Sequence, residues 1–361
     1  MQATEGKAVN YVKITTYFLG FICFIICVGI LIVLREILIP ITISVFLTFL
    51  FHPLILYLKK YKFPKWLSLI LILIFMMGIY YLIGLFVYAN AGNFSQKLHL
   101  YYANLLKAVQ QLLSPFNLTI KELTRMLNIK IESFNLASLM ENLFKAGIIQ
   151  NIFSSFSSVL GDFFISMLFW IFMILGKTQF EERLKSAFSD NRKKIEQFIA
   201  SINNQLQSYV IVKTITSLIT GLIVTVILWI YGIDFAVFWG FLTFILNFIP
   251  NIGPVIATIF PILISLLEYG FGFRTLSMTA LLIIDHNIIG NLVEPHYLGR
   301  QMDLSPVFVL FSLIFWGWIW GIVGMFLSVP IAAGLKILFN NIDPLKPLAV
   351  LMSSKVADKV S

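Results

Sequence analysis

Long apolar runs, separated by short charged or polar stretches, make up most of the chain. A bilayer core of ~30 Å needs ~20 apolar residues in a helix. Eight runs of that order occur, at residues 15 to 34, 37 to 58, 66 to 89, 152 to 176, 210 to 231, 236 to 267, 275 to 293 and 306 to 337. Arg35 and Glu36 divide the first two. Lys7 and Lys13 precede the first run as in a secretory leader, but the run exceeds a leader's apolar core and no small-residue cleavage site follows, so it is expected to stay as a helix. The sixth run is different. Its 32 residues include Pro250, Pro254 and Pro261, too long and too broken for one simple span, and a re-entrant hairpin there would reverse the sidedness of everything downstream. The pattern predicts an all-α polytopic membrane protein with about eight transmembrane helices and a proline-broken sixth segment.

Two stretches read differently. Residues 90 to 151 mix polar and apolar positions, and Leu105, Leu106, Val109, Leu112 and Leu113 recur at helical spacing. They predict an amphipathic helical segment outside the membrane. In residues 177 to 209, Phe180, Leu184, Phe188, Ile195, Phe198, Ile199 and Ile202 alternate with charge, as in a helix lying at the interface. The expected organisation is three helices in 1–89, the extracytoplasmic segment in 90–151, a fourth helix with its amphipathic extension in 152–209, four further helices in 210–340, and a tail in 341–361.

Sidedness follows from basic residues in short loops. Lys59, Lys60, Lys62 and Lys65 crowd one loop that contains no acid, which places it in the cytoplasm. Lys177, Arg183, Lys185, Arg192, Lys193 and Lys194 mark a second basic segment two spans later, on the same side. If each later run crosses once, Lys336, Lys346, Lys355 and Lys359 also lie inside, and both termini are cytoplasmic.

Composition sharpens the class. Of 361 residues, 59% are hydrophobic and 12% charged, about half the charge of an ordinary soluble domain, and the mean hydropathy is +0.91. A secreted disulfide scaffold, a disordered chain and a cytosolic globular enzyme are excluded. The 26 Lys+Arg against 17 Asp+Glu give +9, but they flank apolar runs and form no basic face for nucleic acid. Cys23 and Cys27, four apart within an apolar run, read as small core residues with no disulfide or zinc role.

Candidate chemistry lies in the last third, since polar groups inside apolar spans are functional candidates by default. Asn247, Pro250, Asn251, Gly253 and Pro254 interrupt the sixth run, where two prolines four apart remove two amide donors. Freed carbonyls at membrane depth need protein or a watery cavity around them, so the break is either part of a solute pathway or a kink. Asn287, Asn291 and Glu294, at steps of four and three, share a helix face. Glu294 is a candidate coupling carboxylate, with capping or pairing to Arg300 as the plainer alternative, and Asp285 is the second coupling candidate. Asp285 beside His286 fits no zinc signature, so no metal is expected, and an intramembrane enzyme built on Asp285, His286, Glu294 and His296 is the remote alternative. Gly317, Gly321 and Gly324 form a small-residue face for close helix packing. No nucleophile elbow, Walker motif or nucleotide fingerprint is present, and no cofactor or enzymatic activity is expected.

The run Ile249-Pro250-Asn251-Ile252-Gly253-Pro254, then Asn291-Leu292-Val293-Glu294-Pro295 with Gly299-Arg300 and Leu304-Ser305-Pro306, then Gly321-Ile322-Val323-Gly324 with Val329-Pro330, resembles the autoinducer-2 exporter family. Ser305 stands where many members carry His. The resemblance implies a homo-oligomeric, pentameric transporter of a bacterial or archaeal inner membrane, without enzymatic activity. Its expected solute is small and polar, such as the furanone-type quorum signal autoinducer-2. Exchange of sodium or lithium for protons is the alternative within the family. The expected partners are the lipid bilayer, that solute or a monovalent cation, and copies of the chain itself; no nucleic acid is expected.

Overall fold

Apolar side chains at nearly every helical position give these runs no solvent-facing stripe, and in lipid a helix is the way to satisfy their backbone internally. A computed structural model of the chain describes residues 2–85, 97, 104, 110, 148–187, 192–298 and 303–354, and among the described residues the structure is helical, with one isolated β-bridge between Leu304 and Ser353. Leu105, Leu106, Val109, Leu112, Leu113 and Arg300 lie outside them. The helices are α1 (Gln2–Val33), α2 (Arg35–Lys60), α3 (Lys65–Leu85), α4 (Ile148–Ala187), α5 (Arg192–Ile230), α6 (Ala236–Leu246), α7 (Ile252–Tyr269), α8 (Phe273–Ile288), α9 (Pro306–Asn341) and α10 (Lys346–Met352). Among the described residues seven helical stretches are long and apolar enough to cross a membrane, and the chain is an all-α polytopic membrane protein. It divides into two compact units, one of residues 1–48, 168–198 and 304–361, the other of residues 49–167 and 199–303.

In the second unit the broken sixth run folds back on itself. α6 has 11 residues, about 16 Å, too short to cross a bilayer. Asn247 to Asn251 turn the chain, and α7 runs antiparallel to α6, with Trp239 stacked on Phe260 at 5.7 Å. Gly253 makes the turn possible, because a Cβ there would lie 1.8 Å from the Leu246 carbonyl oxygen. The two ends of the hairpin meet again at its base. The Tyr269 hydroxyl donates to the Gly232 carbonyl at 2.7 Å, and the Arg274 guanidinium donates to the Tyr231 carbonyl while lying 3.7 Å over the Tyr269 ring. Lys97 pairs with Asp234 at the same end. The 236–267 run is therefore a hairpin with both ends on one side rather than a single crossing.

α5 and α8 hold this hairpin. A Cβ on Gly221 would come 2.6 Å from the Gly240 carbonyl, so α5 and α6 touch backbone to backbone. Val224, Leu228, Ile233, Ala236, Trp239, Ile264, Met278 and Leu282 form the apolar core between the four helices. Buried hydroxyls in these helices bond backward along their own helix, as Thr220 does to the Thr216 carbonyl at 2.9 Å and Thr243 to the Trp239 carbonyl at 2.8 Å.

In the first unit the last run also folds back, which its sequence did not announce. Gly321 breaks α9 with φ 63° and ψ −143°, a conformation that strains any residue carrying a Cβ. The Ser312 hydroxyl donates to the Ser328 carbonyl at 2.9 Å, and a Cβ on Gly324 would lie 1.9 Å from the Trp316 carbonyl oxygen. A Cβ on Gly317 would lie 2.9 Å from the flexible Met325 side chain. Residues 306 to 337 are thus two antiparallel limbs, and the three glycines serve the contact and turn between them rather than a face for another helix. The start of this hairpin is tied to the end of α10 by the Ser305 amide, which donates to the Met352 carbonyl at 2.8 Å. Trp320 donates from Nε1 to the Leu31 carbonyl at 3.1 Å, near the end of α1. Cys23 and Cys27 are free thiols on the exposed surface of α1, not core residues of the chain.

Candidate functional site

The tip of the first hairpin meets the polar stripe of α8 in a cleft of about 470 Å³. Asn247, Pro250, Asn251 and Pro254 contribute from the tip, Asn287, Asn291 and Glu294 from α8 and its extension, and Lys213 from α5. Every one belongs to the second unit. The break does what its prolines imply: α6 ends and α7 begins at the cleft. Asn251 takes φ 60° and ψ −46° at the head of α7, without a side-chain cap. It lines the cleft instead of closing the helix with its side chain. Asn247 is buried and donates from Nδ2 to the Ser217 hydroxyl at 3.0 Å, which fixes the tip against α5.

The α8 stripe forms as its spacing predicts. Asn291 donates from Nδ2 to Asn287 Oδ1 at 3.0 Å, and Asn287 donates from Nδ2 to the Ile283 carbonyl at 2.8 Å. Between them and Glu294 the helix widens into one π-turn, Ile289–Val293, in which the Glu294 amide bonds the Ile289 carbonyl. Pro295 explains it: the residue lacks an amide for the Asn291 carbonyl and its ring crowds that carbonyl.

Lys213 is the residue that sequence reading passed over. Its ammonium donates to both carboxylate oxygens of Glu294 at 2.8 Å, and the two side chains are only 7% and 15% exposed. The signal was present, a lone lysine in the apolar run 210–231, where an intramembrane charge is itself a functional marker. Glu294 thus pairs across helices, and Arg300, the partner considered from sequence, lies outside the described residues.

The other candidates separate. Asp285 is 7% exposed and does not line the cleft, with Oδ2 lacking a hydrogen-bond partner, whereas its neighbour His286 lines the cleft and buries an unpartnered Nδ1. The two coupling candidates from sequence, Asp285 and Glu294, therefore stand in different surroundings. His296 is exposed beside the Tyr297 ring. Among the described residues no three His, Cys, Asp or Glu side chains are grouped to hold a metal ion. What the cleft offers is neutral amide donors and acceptors, backbone freed by a broken helix, and one internally compensated charge pair.

An all-α membrane protein with a re-entrant hairpin whose tip closes on a polar cleft has the build of a transporter. The family model for AI-2E family transporters matches residues 21–343, and the chain belongs to that family. It is 31% identical over 322 residues to the AI-2 transport protein TqsA of Escherichia coli, covering 88% of this chain and 90% of that one. It is 32% identical over 317 residues to a Haemophilus influenzae protein, covering 85% and 87%, and 29% identical over 365 residues to a Borreliella burgdorferi protein, covering 97% and 94%. Both of these carry the name "Putative transport protein".

Proposed function

We propose that the chain exports a small, uncharged, polar solute of the autoinducer-2 kind through the cleft at the hairpin tip, without catalysing a reaction. The observation that carries the reading is the cleft's chemistry. Asn247, Asn251, Asn287 and Asn291 supply neutral hydrogen-bonding groups suited to several hydroxyls, and Lys213 cancels the Glu294 charge in place. The name of the Escherichia coli relative supports the same solute class. The pairing of both Glu294 oxygens with Lys213 favours this reading over a sodium or lithium/proton exchanger, in which that carboxylate would have to serve the ion. The proposed setting is a bacterial or archaeal inner membrane with both termini in the cytoplasm, and assembly as a homo-oligomer is part of the same proposal.

The test is flux in proteoliposomes holding the purified protein and a pH-sensitive dye, challenged in turn with sodium, lithium and a polyhydroxylated furanone. Furanone movement without a cation-triggered proton signal is expected, and Asn287→Ala should slow it. A proton signal driven by sodium or lithium, with no furanone movement, would replace this reading by the exchanger.

A further inference from the structure

A second concavity, of about 410 Å³, lies between the end of α2 and α5 and is lined by Leu50, Leu54, Tyr57, Ile211, Thr214 and Ile215 among others. Its one aliphatic hydroxyl, on Thr214, is already committed to the Val210 carbonyl at 2.7 Å. Apart from the Tyr57 phenol, the walls therefore offer hydrocarbon. At one end the surface changes. Tyr57 and Tyr61 bring their hydroxyls to 3.3 Å from each other in an exposed position, and Lys59, Lys60, Lys62 and Lys65 belong to the same short segment.

Those lysines are exposed, and among the described residues none is in an ion pair. Lys59 and Lys60 complement the negative end of α2. Lys65 does the opposite, opening α3 where the helix dipole favours an anion, and residues 58 to 66 contain no acid to compensate it. Tyr57 joins the apolar groove to the phenol pair, and the adjoining 59–65 loop is basic, contains no acid and is followed by the exposed Trp66. An apolar groove beside a basic loop matches the acyl chain and headgroup of a lipid, and basic clusters at the ends of membrane helices attract anionic headgroups.

We propose that this groove and the 59–65 loop together bind one anionic phospholipid, an acyl chain lying along α2 and α5 and the headgroup phosphate on the lysines. The site is separate from the solute cleft and does not depend on the function proposed above.

Native mass spectrometry of the purified full chain, titrated with phosphatidylglycerol and with phosphatidylcholine of the same chains, tests it. Phosphatidylglycerol is expected to bind at one site at least tenfold more tightly than phosphatidylcholine. The variant Lys59→Gln/Lys60→Gln/Lys62→Gln/Lys65→Gln should remove that preference, and the fourfold change to Arg should keep it. Ile215→Trp, which fills the groove and leaves the lysines, should weaken phosphatidylglycerol binding at least tenfold. Equal binding of the two lipids, or full retention in the glutamine variant, would overturn the site. Retention in Ile215→Trp, or displacement by soluble glycerol phosphate alone, would reduce it to a headgroup attraction and overturn the groove.

Discussion

The ammonium of Lys213 stands 2.8 Å from each oxygen of Glu294, a residue 81 positions further along the chain, and both residues line the cleft at the hairpin tip. Removing one member leaves the other buried and uncompensated, an effect of about 3–5 kcal/mol for buried pairs. Lys213→Gln and Glu294→Gln should therefore each lower the unfolding temperature markedly in detergent. The double variant should regain most of the loss. A double variant as unstable as the sum of the singles would show that the two side chains do not act as a pair.

Hydrogen bonds to the solute are expected from the amides of Asn287 and Asn291. A neutral bond contributes about 0.5–1.5 kcal/mol net, so each change to Ala should weaken solute affinity roughly two- to tenfold. Asp285 does not line the cleft, and Asp285→Asn should leave that affinity unchanged. Binding measured on detergent-solubilised protein separates these outcomes.

Gly253 admits no side chain, since the Leu246 carbonyl oxygen occupies the place of its Cβ. Gly253→Ala should open the turn and abolish solute flux, while Gly78→Ala, at a position with open space around it, should behave as wild type. Flux normalised to the amount of folded protein is the readout.

The hairpins change the count of crossings. Each returns to the side it entered from, so the two reversals cancel and both termini are expected to remain on the side of the 59–65 loop. Phe271, 81% exposed beside the base of the first hairpin, should then face the opposite side from Lys62. In a Cys23→Ser/Cys27→Ser background, a membrane-impermeant maleimide should label Phe271→Cys from outside intact cells and Lys62→Cys only after lysis. Labelling of both from one side would mean that the first hairpin is a true crossing.

Much of this architecture could be read from the residues, and the exceptions have physical causes. Pro250 and Pro254 announce a break because their missing amides are visible in the sequence, and Asn287, Asn291 and Glu294 announce a stripe because helical spacing fixes their common face. The turn at Gly321 gave no comparable sign. Both limbs of α9 are apolar all round, as lipid permits, so no change of periodicity marks the reversal, and the strain at φ 63° is a property of the folded backbone. The Lys213 to Glu294 pair was hidden for another reason: local spacing relates residues within a few turns, and this contact depends on how α5 lies against α8. Cys23 and Cys27 show the limit of an apolar pattern, which separates oily from wet surroundings but not protein interior from lipid.

The base of the first hairpin is fastened at two points, by Arg274 on Tyr231 and by Tyr269 on Gly232, while its far end carries the asparagines. Mechanically this is a beam supported at both ends, because Asn247 on Ser217 holds the tip as Arg274 and Tyr269 hold the base. The arm of about 27 Å set by the 18 residues of α7 is therefore stiff, and the asparagines at its far end keep their places relative to α5.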